Sequence, residues 1–237
     1  MIIKIITKEI FPPVCIVCGQ FTYRKHDLCK LCYQDLPLLS YSCQRCATPL
    51  PPCMDHSVCG QCLYHPPLFN KVYALYRYEF PVMQFILQLK FTYSLLHARV
   101  LGELMAEAIS QSWYIFKPLP ELIIPVPLHP QRLKERGFNQ ALEIARPIAK
   151  QLRIPLNPYC AQRIKYTVPQ ATLPANKRPQ NIKGAFFISH LPPVNHIAII
   201  DDVMTTGQTI NELCSAFKQK GITQIDIWCC ARPLLPT

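Results

Sequence analysis

From about residue 67 onward, apolar and polar positions alternate between two rhythms. The stretch "VYALYRY" (72–78) is alternating and aromatic-rich, which predicts a strand. "PVMQFILQLKFTYSLLHARVLGELMAEAI" (81–109) has helical spacing, with Pro81 at its start and a break expected near Thr92 to Ser94. "LIIPV" (122–126) is a short apolar run whose end is forced into a loop by Pro125 and Pro127. "NQALEIARPIAKQL" (139–152) reads as a helix that Pro147 must kink or end early. "HIAII" (196–200), a helix from about Gln208 to Lys220 and "IDIWCCA" (225–231) close the series. That last helix is the clearest: Ile210, Leu213, Cys214 and Phe217 share one face, and Gly221 supplies its terminator. Strand, loop, helix and strand at this spacing form a βαβ unit, so a mostly parallel sheet flanked by helices is expected.

The first part of the chain follows another logic. Of thirteen cysteines, nine precede residue 63, and eight form CxxC pairs: Cys15/Cys18, Cys29/Cys32, Cys43/Cys46 and Cys59/Cys62. A CxxC turn brings two thiolates to one ion, and two turns complete a tetrahedral, all-sulfur zinc site. A redox dithiol would call for one CxxC beside a βαβ unit rather than four in succession. Spacing leaves the pairing open; neighbouring turns are favoured because short loops lose less entropy on closure. Cys53, His26, His56 and His65 are spare donors, most simply surface residues. So small a segment lacks a core of its own, and metal would hold it together. The division expected is a cysteine-rich zinc-binding domain over 1–66 and a larger domain over 67–237. The remaining cysteines, Cys160, Cys214, Cys229 and Cys230, read as core residues.

The start, "MIIKIITKEIFPPVC", reads as a short amphipathic helix stopped by Pro12 and Pro13, and not as a secretory signal. No apolar run reaches the roughly eighteen residues that a membrane helix needs. A cytoplasmic protein is expected, in which paired thiols favour metal over disulfides. The formal charge is +11, and residues 123–190 hold eleven Lys or Arg against Glu135 and Glu143. Two zinc–thiolate sites would lower the total to about +7. A segment this basic suits a polyanion, either a phosphorylated metabolite or nucleic acid, unless it is a solvated face.

One turn concentrates chemistry. In "HIAIIDDVMTTGQTI" (196–210), a buried strand runs into Asp201 and Asp202, then into Thr205 to Thr209 and the helix. Polar residues that follow such a strand sit at the carboxyl edge of the sheet, where α/β proteins bind ligands. Two adjacent carboxylates suit vicinal hydroxyls of a ribose, or a magnesium ion held mainly through water. The helix amino end offers free N–H groups to an anion, and Gly207 lets the backbone approach closely. Together they describe a ribose 5-phosphate site; the plainer reading is an ordinary helix cap approached by acidic residues.

The diacid followed by T-T-G-x-T resembles the binding motif for 5-phosphoribosyl 1-pyrophosphate (PRPP) in type I phosphoribosyltransferases. Five segments in order resemble the ComF/ComFC family, the GntX-like group included. These are "CGQC" (59–62), "LKF" (89–91), "PVPLHPQRLKERGFNQA" (125–141), "PQATLPANKRPQNIKGAF" (169–186) and "IIDDVMTTGQT" (199–209). The resemblance implies a type I phosphoribosyltransferase fold behind the zinc-binding domain, and a role in natural competence. It assigns Asp201 and Asp202 to the ribose hydroxyls, and Thr205, Thr206, Gly207, Gln208 and Thr209 to the 5-phosphate. Val126, Pro127, Leu128 and His129 would form the pyrophosphate loop, with Arg132 and Arg136 as nearby cations and Lys90 opposite. Gln170, Lys177, Arg178 and Asn181 would lie on a mobile loop that closes over the substrate.

Three functions follow from that resemblance. The first is phosphoribosyl transfer from PRPP with magnesium, to an acceptor for which the chain carries no signature. The second is handling of single-stranded DNA alongside DNA-uptake machinery, with PRPP bound but not consumed. Aromatics beside basic residues in "KVYALYRYEF" and "RIKYT" would suit stacking on bases, although core packing explains them too. The third is a regulatory protein that keeps the fold without the chemistry.

Overall fold

The computed structural model describes residues 13–22, 24, 26–54, 57–166 and 182–234. The helix expected before Pro12, His56, and the loop residues Gln170, Lys177, Arg178 and Asn181 lie outside them. The frame is a four-stranded, fully parallel sheet made of β1 (Lys71–Arg77), β2 (Leu122–Pro125), β5 (His196–Val203) and β6 (Gln224–Arg232), in the order β1-β6-β5-β2. The central strands are buried on both faces, which is why "HIAII" and "IDIWCCA" are continuous apolar runs and not alternating ones. A short antiparallel pair, β3 (Ala161–Arg163) and β4 (Phe186–Ile188), stands apart.

Successive side chains face opposite ways, so the sheet supports two cores. Ala198, Ile200, Trp228 and Cys230 face α3 (Val82–Phe91), α4 (Leu95–Ala108) and α6 (Gln140–Leu152). Ile197, Ile199, Ile227 and Cys229 face α7 (Gln208–Gln219), whose Ile210, Leu213, Cys214 and Phe217 are fully buried as the spacing predicts. The helical stretch 81–109 does break between Phe91 and Leu95. The helix from Gln140 is not ended by Pro147 and runs on to Leu152. Gly102 faces that point: a Cβ there would lie 2.4 Å from the Ile144 carbonyl oxygen and from Pro147 Cγ, so α4 and α6 touch backbone to backbone.

The cysteine module contains the same unit twice. In each, a first pair sits on a tight turn: Cys15 N–H donates to Gln20 O and Gly19 N–H to Cys15 O, as Cys43 N–H donates to Thr48 O and Ala47 N–H to Cys43 O. The second pair of each unit opens a one-turn helix, α1 (Lys30–Gln34) capped by Cys29 and α2 (Gly60–Tyr64) capped by Cys59. The linker between units and the first turn of the second run along β1: Leu39 N–H donates to Leu75 O at 3.0 Å, Arg77 N–H to Pro37 O and Val72 N–H to Arg45 O, each at 2.8 Å. An edge strand is thereby covered. The first unit joins the core of α3 and α4, and the second joins the α7 core on the other face. The cysteine module therefore contributes to the cores on both faces of the sheet.

Candidate functional site

β5 extends three residues beyond the predicted apolar run, because its ladder with β6 continues through Asp201↔Cys229 and Val203↔Ala231. The two aspartates thus lie within the strand, with Val203 after them, and are not the first residues of a loop. Asp202 Oδ1 accepts from Val203 N–H at 2.8 Å, and Asp201 Oδ1 accepts from Asp202 N–H at 2.9 Å. After them the chain turns at Gly207, whose φ of +78° belongs to the left-handed region, and α7 begins. A Cβ on Gly207 would also meet Met204 Cε at 2.4 Å.

Around this edge lies a cleft of about 220 Å³. Asp201, Asp202, Thr205, Gly207, Gln208 and Thr209 form one wall. Val126 and Leu128, from the loop after β2, form another, with Arg132 and Arg136 from α5 (Pro130–Arg136). Lys90, from the last turn of α3, pairs with Asp202 across the floor, Nζ to Oδ2 at 2.6 Å. Three expected residues sit outside the lining. Thr206 faces a neighbouring groove. Pro127, in the same loop as Val126 and Leu128, is buried. His129 caps α5, its Nδ1 accepting from Gln131 N–H at 3.2 Å, and its ring meets Tyr166 edge-on at 5.1 Å.

Gln140, Arg163 and Met204 also line the cleft and were not singled out in the sequence. Gln140 is buried, and its Oε1 has no hydrogen-bond partner among the described residues, so it can receive a donor from a ligand. Its neighbour Asn139 caps α6 and donates from Nδ2 to Val126 O at 3.0 Å, pinning the loop after β2. An Asn-Gln pair at a helix start was the available signal.

The charges of the cleft stand on a partly buried surface. Burial pushes the Asp201 carboxyl up to about 8, and the neighbouring Asp202 charge adds to the shift. Burial works against the Lys90 ammonium, but Asp202 and Asp201 outweigh it and raise its pKa. Burial lowers Arg136 and Arg163, with Arg132 adding repulsion to each. Cations crowded at a partly dry surface are stabilised by an anion placed among them.

The eight paired cysteines converge as two groups of neighbours, Cys15/Cys18/Cys29/Cys32 and Cys43/Cys46/Cys59/Cys62, with the sulfurs of each within 4.8 Å of one another. Zinc–sulfur bonds in a tetrahedron put sulfurs about 3.8 Å apart. Cys18 and Cys29 Sγ lie at 3.8 Å, and Cys46 and Cys59 Sγ at 3.7 Å. The groups fit Zn²⁺ as closed structural sites. Cys53, His26 and His65 stay outside both groups; His26 instead contacts Glu103 at 3.2 Å and Glu107 at 2.9 Å on α4. Among the described residues no helix is long and apolar enough to cross a membrane.

Residues 6–63 match the family described as "Double zinc ribbon domain". Competence protein F of Haemophilus influenzae is 33% identical over 223 residues, covering 92% of this chain and 96% of that protein. DNA utilization protein YhgH of Shigella flexneri is 30% identical over 225 residues, with 94% of this chain and 98% of that protein covered. YhgH of Escherichia coli K12 shows the same identity and coverage. A crystal structure of L. donovani hypoxanthine-guanine phosphoribosyl transferase aligns with a TM-score of 0.34 at 13% identity, over 57% of this chain and 71% of that one. With near-complete mutual coverage by curated relatives, the chain belongs to the family of competence protein F and the YhgH DNA utilization proteins.

Proposed function

We propose that the cleft binds PRPP and that the α/β domain is a phosphoribosyltransferase-like unit of a protein serving DNA uptake. The observation that carries this reading is the convergence in one cleft of two adjacent carboxylates, a threonine-glycine turn at a helix amino end, and Lys90, Arg132 and Arg136. In this reading the N–H groups of 205–209, with the hydroxyls of Thr205 and Thr209, hold the 5-phosphate. Asp201 and Asp202 accept hydrogen bonds from the ribose hydroxyls and fix the sugar. Arg132, Arg136 and the loop from Val126 face the diphosphate, and Lys90 holds Asp202 in register. The bond from the anomeric carbon to pyrophosphate breaks as a bond to the acceptor forms, with pyrophosphate taking the electron pair. The protein orients the sugar and stabilises charge that grows on the leaving group. The two carboxylates at the cleft suit a water-rich magnesium ion, which, when bound, supplies further neutralisation of that charge.

A second reading, PRPP binding without turnover in a protein that handles single-stranded DNA, draws on rings near the cationic wall. Tyr93 is 57% exposed and packs edge-on against Phe138, and Tyr166 is 48% exposed beside His129. Exposed aromatics near Arg132 and Arg136 suit stacked bases. The deciding experiment pairs two assays. Transfer predicts pyrophosphate release from PRPP when acceptors are added to zinc-loaded protein, abolished by Asp201→Asn with Asp202→Asn. DNA handling predicts salt-steep binding of oligonucleotides that the same pair of substitutions leaves intact, without pyrophosphate release.

A further inference from the structure

We propose that Arg232 is a positioning residue linking the 204–207 turn to the second four-cysteine group, so that metal held there fixes the turn's shape. Arg232 ends β6 and is 1% exposed. Its Nη1 donates to the carbonyl oxygens of Met204 and Thr205. Its Nη2 donates to Thr48 Oγ1 at 2.6 Å, and Thr48 Oγ1 lies 3.1 Å from Cys46 Sγ. A guanidinium has only donors, so the Thr48 oxygen accepts from it and the one hydroxyl proton is left for the sulfur. The chain therefore runs one way, from guanidinium to hydroxyl to sulfur, and it needs a sulfur that accepts. A metal-bound thiolate meets that need.

Charge balance leads to the same place independently. Among the described residues no carboxylate forms an ion pair with Arg232, and a buried cation without a counter-charge is strongly disfavoured. Four thiolates around one dication carry roughly two negative charges, next to this guanidinium. The direction of the held carbonyls gives the link its consequence. In a trans peptide the next N–H points opposite to the carbonyl, so drawing Met204 O and Thr205 O toward Arg232 turns the N–H groups of Thr205 and Thr206 away from it. Successive N–H groups aimed one way are an anion cradle. The first cysteine group lies on the opposite face of the sheet and provides an internal control.

The functional meaning of this link rests on the phosphate reading of the turn, whereas the link itself does not. Its test is hydrogen–deuterium exchange of amides 204–209 in full-length, zinc-loaded protein without added ligand, with zinc counted per chain. Thr48→Val, in zinc-replete buffer, is expected to raise that exchange about tenfold or more, as expected when one charge-assisted hydrogen bond is lost. Thr48→Ser, which keeps the hydroxyl, is expected to restore the wild-type rate. Cys46→Ser should loosen the turn and Cys18→Ser should not. Wild-type exchange in Thr48→Val overturns the proposal, as does equal loosening by Cys18→Ser and Cys46→Ser. If Cys46→Ser fails to fold, Thr48→Val and Thr48→Ser decide alone. A PRPP arm separates the two readings. A turn that loosens in a protein that never binds PRPP sinks the phosphate reading and leaves the link standing. PRPP binding with an unmoved turn does the reverse.

Discussion

Lys90→Met isolates the ion pair under the cleft. Lys90 reaches Asp202 at 2.6 Å, with the lysine side chain 22% exposed and the aspartate side chain 8%. Removing one partner of a buried pair costs about 3–5 kcal/mol, because the other charge is left uncompensated. Partial solvent access to the lysine reduces this to about 2–3 kcal/mol. Methionine keeps most of the side-chain volume, so the loss reports charge and not a cavity. In a chain of this size each kcal/mol shifts the melting temperature by roughly 2–4 °C, so Lys90→Met is expected to lower it by roughly 4–12 °C. Asp202→Asn in the same chain removes the stranded charge and also relieves Asp201, whose carboxyl Asp202 pushes up. The double variant should therefore be more stable than Lys90→Met alone. A thermal melt of the four proteins of this cycle at neutral pH, zinc-loaded, reads the coupling directly. If the double variant loses as much as or more than the single one, the pair does not hold the site together and the electrostatic account of the cleft fails.

Burial raises Asp201 to about 8, so between the ordinary carboxylate range and that value the folded chain holds a proton the unfolded chain releases. Its contribution to stability is present below about pH 4 and is lost as pH rises to about 8, and Asp201→Asn should remove that component from a stability–pH profile. Gly102→Ala sets a methyl against the Ile144 carbonyl and Pro147, which cannot both give way. It should cost about 1–3 kcal/mol in a melt, and an unchanged midpoint would contradict the close contact of α4 and α6. Elemental analysis should find two zinc ions per chain, and strong chelators should lower the melting temperature, because the module covers the β1 edge and feeds both cores. One ion or none would refute the paired sites.

Much of the frame was legible because burial leaves a period. The face of α7, the break before Leu95 and the continuous β5 and β6 runs follow from spacing alone. β3 and β4 were not legible, since three residues cannot show a period. The sequence left open whether Pro147 kinks or ends its helix; that α6 runs on to Leu152 against Gly102, forty-five positions earlier, is invisible to local propensity. The site divides the same way. The diacid and threonine-glycine turn lie within one motif, and the pairing of neighbouring CxxC turns followed from loop length. The roles of Gln140, Arg163 and Arg232 arise only when distant strands and helices meet, as does the Lys90–Asp202 contact.

The most direct measurement is a calorimetric titration of zinc-loaded protein with PRPP, with and without magnesium, beside the Asp201→Asn/Asp202→Asn variant. The account predicts saturable binding of one PRPP per chain, strengthened by magnesium and weakened at least about tenfold in the variant by loss of the Asp202 charge and of the carboxyl acceptors. No binding by the wild type, or equal binding by both proteins, would contradict it.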